Sequence, residues 1–357
     1  MKPHALCRDP IQCIIPPYIT ERLAESPDAA VRSREIANVK AAVAMRAMRR
    51  VLQVMPELVM SPAPTGKKNR VVYDSRQTDR LPGDLVRSEG QPAGPDVAVN
   101  EAYDFSGDTY DFYATLFRRN SLDDKGITLV SSVHVAEVDW LGNFVPMSNA
   151  FWNGEQMAYG DGDGSVFQRF TRSLDVVGHE LTHGVQQFTS NLTYSGQSGA
   201  LNEHFSDVFG ILVRQWRRGE TALKASWVIG ADVMILTPTR RGIRDMEHPG
   251  TAFVNDPDIG TDPQPADMSK LYTGPADRGG VHINSGIPNR AFVLTAKALE
   301  GNAWDVAGRI WFETLLKLKA SSQFLDCARL TAQVAATHGA AAKAAVLTAW
   351  KQVGITV

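Results

Sequence analysis

Residues 179–183 read "HELTH", and residues 199–210 read "GALNEHFSDVFG". On a helix, residues four apart share a face, so His179 and His183 can reach one metal ion together. Neutral imidazoles suit zinc, which takes nitrogen ligands at about 2.0–2.1 Å. Glu180 follows the first ligand and can lean over the metal's open position, where it could take a proton from water. A catalytic zinc takes a third protein ligand and keeps a fourth position open. Glu203 is the candidate, since the gap from His183 accommodates one helix end, a turn and the start of another helix. Asp207, one turn after Glu203, points the same way and is placed to accept the outer N–H of a ligating histidine. Without "HELTH" upstream, the two acids would read as the polar face of an amphipathic helix.

Working outward, 357 residues suffice for two domains, and 43% hydrophobic with 21% charged residues is ordinary globular composition. A net charge of −2 gives no electrostatic reason to expect nucleic acid or an anionic membrane as partner. Cys7, Cys13 and Cys327 are too scattered for a disulfide framework. The chain has no apolar run long enough to span a bilayer, and its first residues lack the core of a secretory signal. A cytoplasmic location is the default expectation, with export by a route lacking a cleaved signal left open.

Four textures follow one another. Residues 1–20 are irregular, and Pro16-Pro17 in "IQCIIPPYIT" (11–20) excludes a helix and imposes extended backbone. Residues 21–59 read as helical, with Val31, Ile36, Val39, Val43, Met45 and Met48 at roughly helical spacing and Pro56 as the stop. Residues 61–70 read as an exposed linker. From about 70 to 170, "RVVYDS", "ITLVSSVHVAEV" and "NFVPMSNAFWN" predict strands, with one helix over 109–120. Helices dominate from about 173 onward.

"HELTHGV", "GALNEHFSD", "NAFWNGEQMAYGDGDG" and "GGVHINSGIPNRAF" together resemble the thermolysin family of zinc endopeptidases, in the expected order from about residue 70 to the C-terminus. The resemblance implies an α+β, two-domain metalloprotease with its cleft between the domains. The expected parts are a propeptide at 1–60, a β-rich domain at 61–190 and an α-helical domain at 191–357. It implies Zn2+ on His179, His183 and Glu203, with Glu180 as general base. His282 and Tyr194 would steady the oxyanion, Asp277 would orient His282, and Asp207 and Asn202 would support the ligands. Asn149 and Ala150 would pair with an extended peptide, and Arg244 would hold a substrate carbonyl. Phe167, Phe170, Val176 and Ile243 would line an apolar pocket for the residue after the cut; ordinary core packing is the alternative for these four.

Many secreted members bind calcium beside the active-site helices. Here Asp175 is kept, but Arg214, Val228 and Ala231 stand where further oxygen ligands are expected. Calcium needs six to eight oxygens, so the double calcium site is expected to be absent, with a single Ca2+ still allowed. Asp161 and Asp163 lack the spacing of a calcium loop and read as turn chemistry.

The short pro-segment with "PPY" resembles the protealysin branch, which implies a self-processing precursor cut between about Arg50 and Arg70. Pro16, Pro17 and Tyr18 would then dock in the chain's own cleft, beside the edge strand at Asn149 and Ala150. Cys13 could ligate the zinc as thiolate, or be incidental to a block made by "PPY" alone. Expected partners are peptide or protein substrates, the chain's own propeptide and a proteinaceous inhibitor, with no nucleic acid or membrane. Two alternatives stand beside this: an inactive protease scaffold acting as a binding or regulatory protein, and a zinc aminopeptidase. The second lacks a "GxMEN"-type motif for a free amine.

Overall fold

The computed structural model describes residues 12–29, 31–38, 67–139 and 141–357. The helical expectation over residues 39–59, the part of the 61–70 linker and of the Arg50–Arg70 cleavage region before residue 67, and Cys7 lie outside the described residues. Among the described residues, seven strands form one mixed sheet. Its centre is β4 (Leu129–Val138), buried along nearly its whole length and parallel to both β2 (Arg70–Thr78) and β7 (Met157–Gly160). Burial on both faces is why "LVSSVHVAEV" carries no clean polar alternation. β3 (Asp84–Ser88) pairs antiparallel with β2, and β5 (Phe144–Pro146) with β4. β6 (Ala150–Trp152) pairs antiparallel with β7. The other edge of β6 takes β1 (Gln12–Cys13), with Gln12 opposite Trp152 and Cys13 opposite Phe151. The N-terminal segment therefore covers a sheet edge that would otherwise present unpaired backbone groups.

Pro16 is extended, at φ −63° and ψ 145°, as expected, but Pro17 opens a helix, α1 (Pro17–Leu23). The expectation that the proline pair excludes a helix is corrected here. A proline in the first helical turn lacks only an N–H that no helix bond uses, and its fixed φ already suits the helix. α1 buries Pro17, Ile19, Thr20 and Leu23. Residues 31–38 form a second helical stretch, α2, which buries Glu35, Ala37 and Asn38.

α3 (Val97–Phe117) is much longer than the helix expected over 109–120. Its start is set by Asp96, whose side chain accepts from the Ala98 and Val99 amides. The polar run "NEAYDFSGD" hid a face on which Ala98, Ala102, Ser106, Thr109 and Tyr113 are buried.

α4 (Leu174–Gln187) and α5 (Gly196–Arg218) form the central helix pair. They cross where Gly178 faces Gly210: a Cβ on Gly210 would lie 2.4 Å from the Asp175 carbonyl oxygen and 2.8 Å from the His179 nitrogen. Two glycines thus let the backbones touch, which brings the side chains of α5 up to those of α4. β8 (Val228–Ile229) and β9 (Arg244–Asp245) make a two-stranded ribbon beyond the pair. The remaining chain is helical: α6 (Asp277–Asn284), α7 (Gly286–Leu299), α8 (Val306–Leu315), α9 (Phe324–Thr337) and α10 (Ala340–Gln352). No helix among the described residues is long and apolar enough to cross a membrane.

Candidate active site

His179, Glu180 and His183 of α4 are fully buried and form a group able to hold a metal ion. Each histidine is oriented through its Nδ1: His179 by Asp207 Oδ1 at 2.9 Å, His183 by Asn202 Oδ1 at 2.8 Å. These acceptors place the ring proton on Nδ1, which leaves a lone pair on each Nε2. The two Nε2 atoms then face each other at 3.0 Å with no proton between them. Glu203 lies 3.5 Å from both, and its buried Oε2 accepts no hydrogen bond among the described residues. Two converging lone pairs and a carboxylate oxygen, Oε2, without a donor among the described residues form a donor set that suits Zn2+.

Asp207 ties this group to the rest of the site. It accepts from Arg244 Nε at 2.9 Å and Nη2 at 2.7 Å, and from Asn289 Nδ2 at 2.8 Å. Burial alone would raise its pKa, but the Arg244 charge and the His179 contact outweigh that and hold the carboxyl well below the usual range. Tyr194 donates its hydroxyl to Glu203 Oε1 and lies 3.1 Å from His282 Nε2. Asp277 takes the other His282 nitrogen at 2.6 Å and the His282 and Ile283 amides at 2.7 and 3.1 Å. That triple grip depends on a sharp start to α6, where Arg278, Gly279 and Gly280 are left-handed. Glu180 accepts from the Trp152 amide at 3.0 Å, which sets its carboxylate against β6.

The N-terminal segment runs through this site. The Ile14 amide donates to the Ala150 carbonyl at 3.3 Å, and the Ile15 amide to Asn149 Oδ1 at 3.3 Å. Arg244 Nη1 donates to the Ile14 carbonyl at 2.9 Å, and His282 Nε2 lies 3.1 Å from the Cys13 carbonyl. Ile14, Ile15 and Ile19 join the main core cluster that holds Phe167, Phe170, Val176 and Ile243. Tyr18 packs against that cluster, and burial and the nearby Asp262 carboxylate push its phenol pKa up. Zinc ligation by the Cys13 sulfur is not the arrangement found. The thiol donates to the Ile15 carbonyl at 3.4 Å and packs with Val135, Met147, Phe151 and Ala158. Directly opposed residues of a β pair share a face, so pairing with Phe151 turns Cys13 away from α4. Its carbonyl, not its sulfur, meets the site.

Some contributors escaped the sequence reading. Ser206 Oγ lies 2.9 Å from His183 Nδ1; its spacing of four from Asn202 on α5 was the available signal. Asn289 and Gln264, which donates to the His282 carbonyl at 2.7 Å, carried none. Asp175, expected at a calcium position, accepts instead from Arg214 and from the Gly230 amide. Arg214 also donates to the carbonyls of Ser226 at 2.9 Å and Val228 at 3.1 Å. Asp163 accepts from the amides of Ser165, Val166 and Phe167, the contacts of a turn.

Comparison with known proteins agrees with this geometry. Residues 65–187 match the thermolysin metallopeptidase catalytic domain, and residues 190–355 match the alpha-helical domain of the same peptidases. The chain is 44% identical over 98% of its length to an extracellular metalloprotease of Pectobacterium carotovorum subsp. carotovorum, covering 97% of that protein. It is 38% identical over 74% of its length to a thermolysin of Alicyclobacillus acidocaldarius subsp. acidocaldarius, spanning 46% of that longer protein. The solved precursor of protealysin, a metalloproteinase from Serratia proteamaculans, superposes with a TM-score of 0.85 at 42% identity, over 97% of this chain and 100% of that one. With the zinc-competent donor set on α4 and α5, these matches establish that the chain belongs to the thermolysin family of zinc endopeptidases.

Proposed function

We propose that the chain is the latent precursor of a neutral zinc endopeptidase whose N-terminal segment occupies the peptide-binding groove until it is removed. The observation that carries this reading is the seating of Cys13–Ile15 on β6 and Arg244, with main-chain contacts that any extended peptide could make. The proposed division is propeptide 1–60, β-rich part 61–190 and α-helical part 191–357, with self-cleavage in the linker. The relatives' names "Extracellular metalloprotease" and "Extracellular minor metalloprotease" weigh against the cytoplasmic default, and action outside the cytoplasm is proposed in its place.

His179, His183 and Glu203 would hold zinc, which when bound would supply Lewis acidity toward a peptide carbonyl and lower the pKa of water. Glu180 takes the proton of the attacking water and delivers it to the departing nitrogen. Both nitrogens of His282 face acceptors, Asp277 and a peptide carbonyl, which favours the imidazolium. That cation and the Tyr194 hydroxyl stabilise the oxyanion. Arg244 and Asn149 fix the residues after the cut, and Phe167, Phe170, Val176 and Ile243 select an apolar side chain there. Arg214 takes the place of calcium beside Asp175, because its guanidinium already neutralises the carboxylate.

Removal of metal tests the enzyme itself. Dialysis of the processed protein against a chelator should abolish casein cleavage, and zinc should restore it; cleavage persisting in zinc-free protein would overturn the reading.

The docked segment should also respond to pH. Glu35 of α2 is fully buried, accepts from Ser148 Oγ at 3.1 Å, and faces Arg34 at 3.7 Å and the Asp163 carboxylate that Arg34 also meets. Burial pushes its pKa up from the ordinary glutamate value of 4.5 to about 7. The docked form therefore binds the proton more tightly than the free form, so docking weakens as pH rises from about 4.5 to about 7. Hydrogen exchange over 31–38, corrected for intrinsic rates, should show less protection at pH 7.5 than at pH 5.5. Glu35→Gln should erase that difference; a difference that survives would reject Glu35 as its source.

A further inference from the structure

The geometry points to the Cys13–Ile14 peptide bond as a bond the site itself hydrolyses, so that the N-terminal segment is a seated substrate as well as a block. This inference rests on the proteolytic reading above and goes beyond it by naming a bond. Four contacts fix the register. The carbonyl that meets His282 Nε2 is that of Cys13, at 3.1 Å, and Tyr194 stands 3.1 Å from the same nitrogen. The next carbonyl, that of Ile14, is the one held by Arg244 at 2.9 Å. The amide between them donates to Ala150, and the following amide to Asn149. Glu180 is bonded to the Trp152 amide of β6, the strand on which this segment is seated. If His282 marks where negative charge develops, the carbonyl carbon under attack belongs to Cys13.

Side chains agree with the register. Ile14 is fully buried in the main hydrophobic cluster, so the residue after the bond is an apolar one that the enzyme covers. The Cys13 side chain packs on the face of β6 that carries Phe151. In the reaction, a water oxygen adds to the Cys13 carbonyl carbon while Glu180 takes its proton. The carbon–nitrogen bond then breaks and the proton passes to the Ile14 nitrogen. The products are a Cys13 carboxylate and an Ile14 amine, with no oxidant or other reactant required.

Cutting here would not release the block. Ile14, Ile15, α1 and α2 stay buried on the enzyme after residues 1–13 leave, with Ser148 still bonded to Glu35 and Asn38. A new amine pinned beside the Ala150 carbonyl also stays close to the Cys13 carboxylate, so the bond can re-form before the fragment departs.

Full-length precursor incubated in [18O]water, analysed by intact mass and by mass spectrometry of the N-terminal peptides, tests this directly. The expected result is a species beginning at Ile14, or 18O in the Cys13 carbonyl of uncut chain, with neither in Glu180→Gln. Processing confined to the linker, with residues 1–20 recovered whole and free of 18O, would overturn the inference while leaving the protease reading intact. Loss of casein cleavage as well would instead remove the reading it rests on. Hydrogen exchange of metal-free Glu180→Gln precursor gives a readout independent of turnover: the Ile14 and Ile15 amides should be protected, and full exposure of both would also reject the register.

Discussion

Glu180→Gln should lower kcat/KM for a peptide substrate by about 10²–10⁴-fold, the range that loss of a positioned proton carrier costs, and should leave the precursor unprocessed. The substitution isolates chemistry from structure. Glutamine has the shape of glutamate, and its amide oxygen can still accept from the Trp152 amide that now bonds Glu180 Oε2 at 3.0 Å. The histidines one position before and three after it keep their anchors, because Asp207 and Asn202 hold them from α5. Zinc content and the circular dichroism spectrum should therefore match the parent. A variant that retains zinc and fold but keeps more than about a tenth of the parent's kcat/KM would show that another group carries the proton. The variant also supplies a stable precursor for measurements that self-digestion would spoil.

The parts of the site most legible in the sequence were those set by helical spacing. His179 and His183 face one way because they are four apart, and Glu203 and Asp207 repeat that spacing on α5, so two short motifs gave most of the metal group. The crossing that joins them depends on Gly178 and Gly210, which no spacing rule singles out, so the order of motifs in the resemblance had to supply the contact. Helix starts were harder. Pro17 and Asp96 each open a helix that the surrounding composition argued against, because a single residue at a helix start can outweigh the run that follows it. The seat of Cys13 was harder still. Whether its sulfur or its carbonyl meets the site depends on the β-pairing register with Phe151, and one residue of slip would reverse the answer.

Arg214→Ala should destabilise the fold by about 3–5 kcal/mol, the usual cost of removing one partner of a buried ion pair. Arg214 and Asp175 are both buried, at 2% and 0% exposure. Asp175 sits in the first turn of α4, four residues before His179, and the Arg214 cation is its principal counter-charge. Without the guanidinium, the carboxylate must stay charged in a dry site or take up a proton, and the carbonyls of Ser226 and Val228 lose their donor. Each outcome costs free energy that the parent does not spend. Replacing both partners together, as Arg214→Met with Asp175→Asn, should recover much of the loss, since no buried charge is then left alone. Guanidinium denaturation in the Glu180→Gln background, where the chain cannot digest itself, measures both variants. A loss under about 1 kcal/mol in Arg214→Ala would mean that Asp175 finds another counter-charge. The proposal that this arginine stands in for a calcium ion beside α4 would then fail.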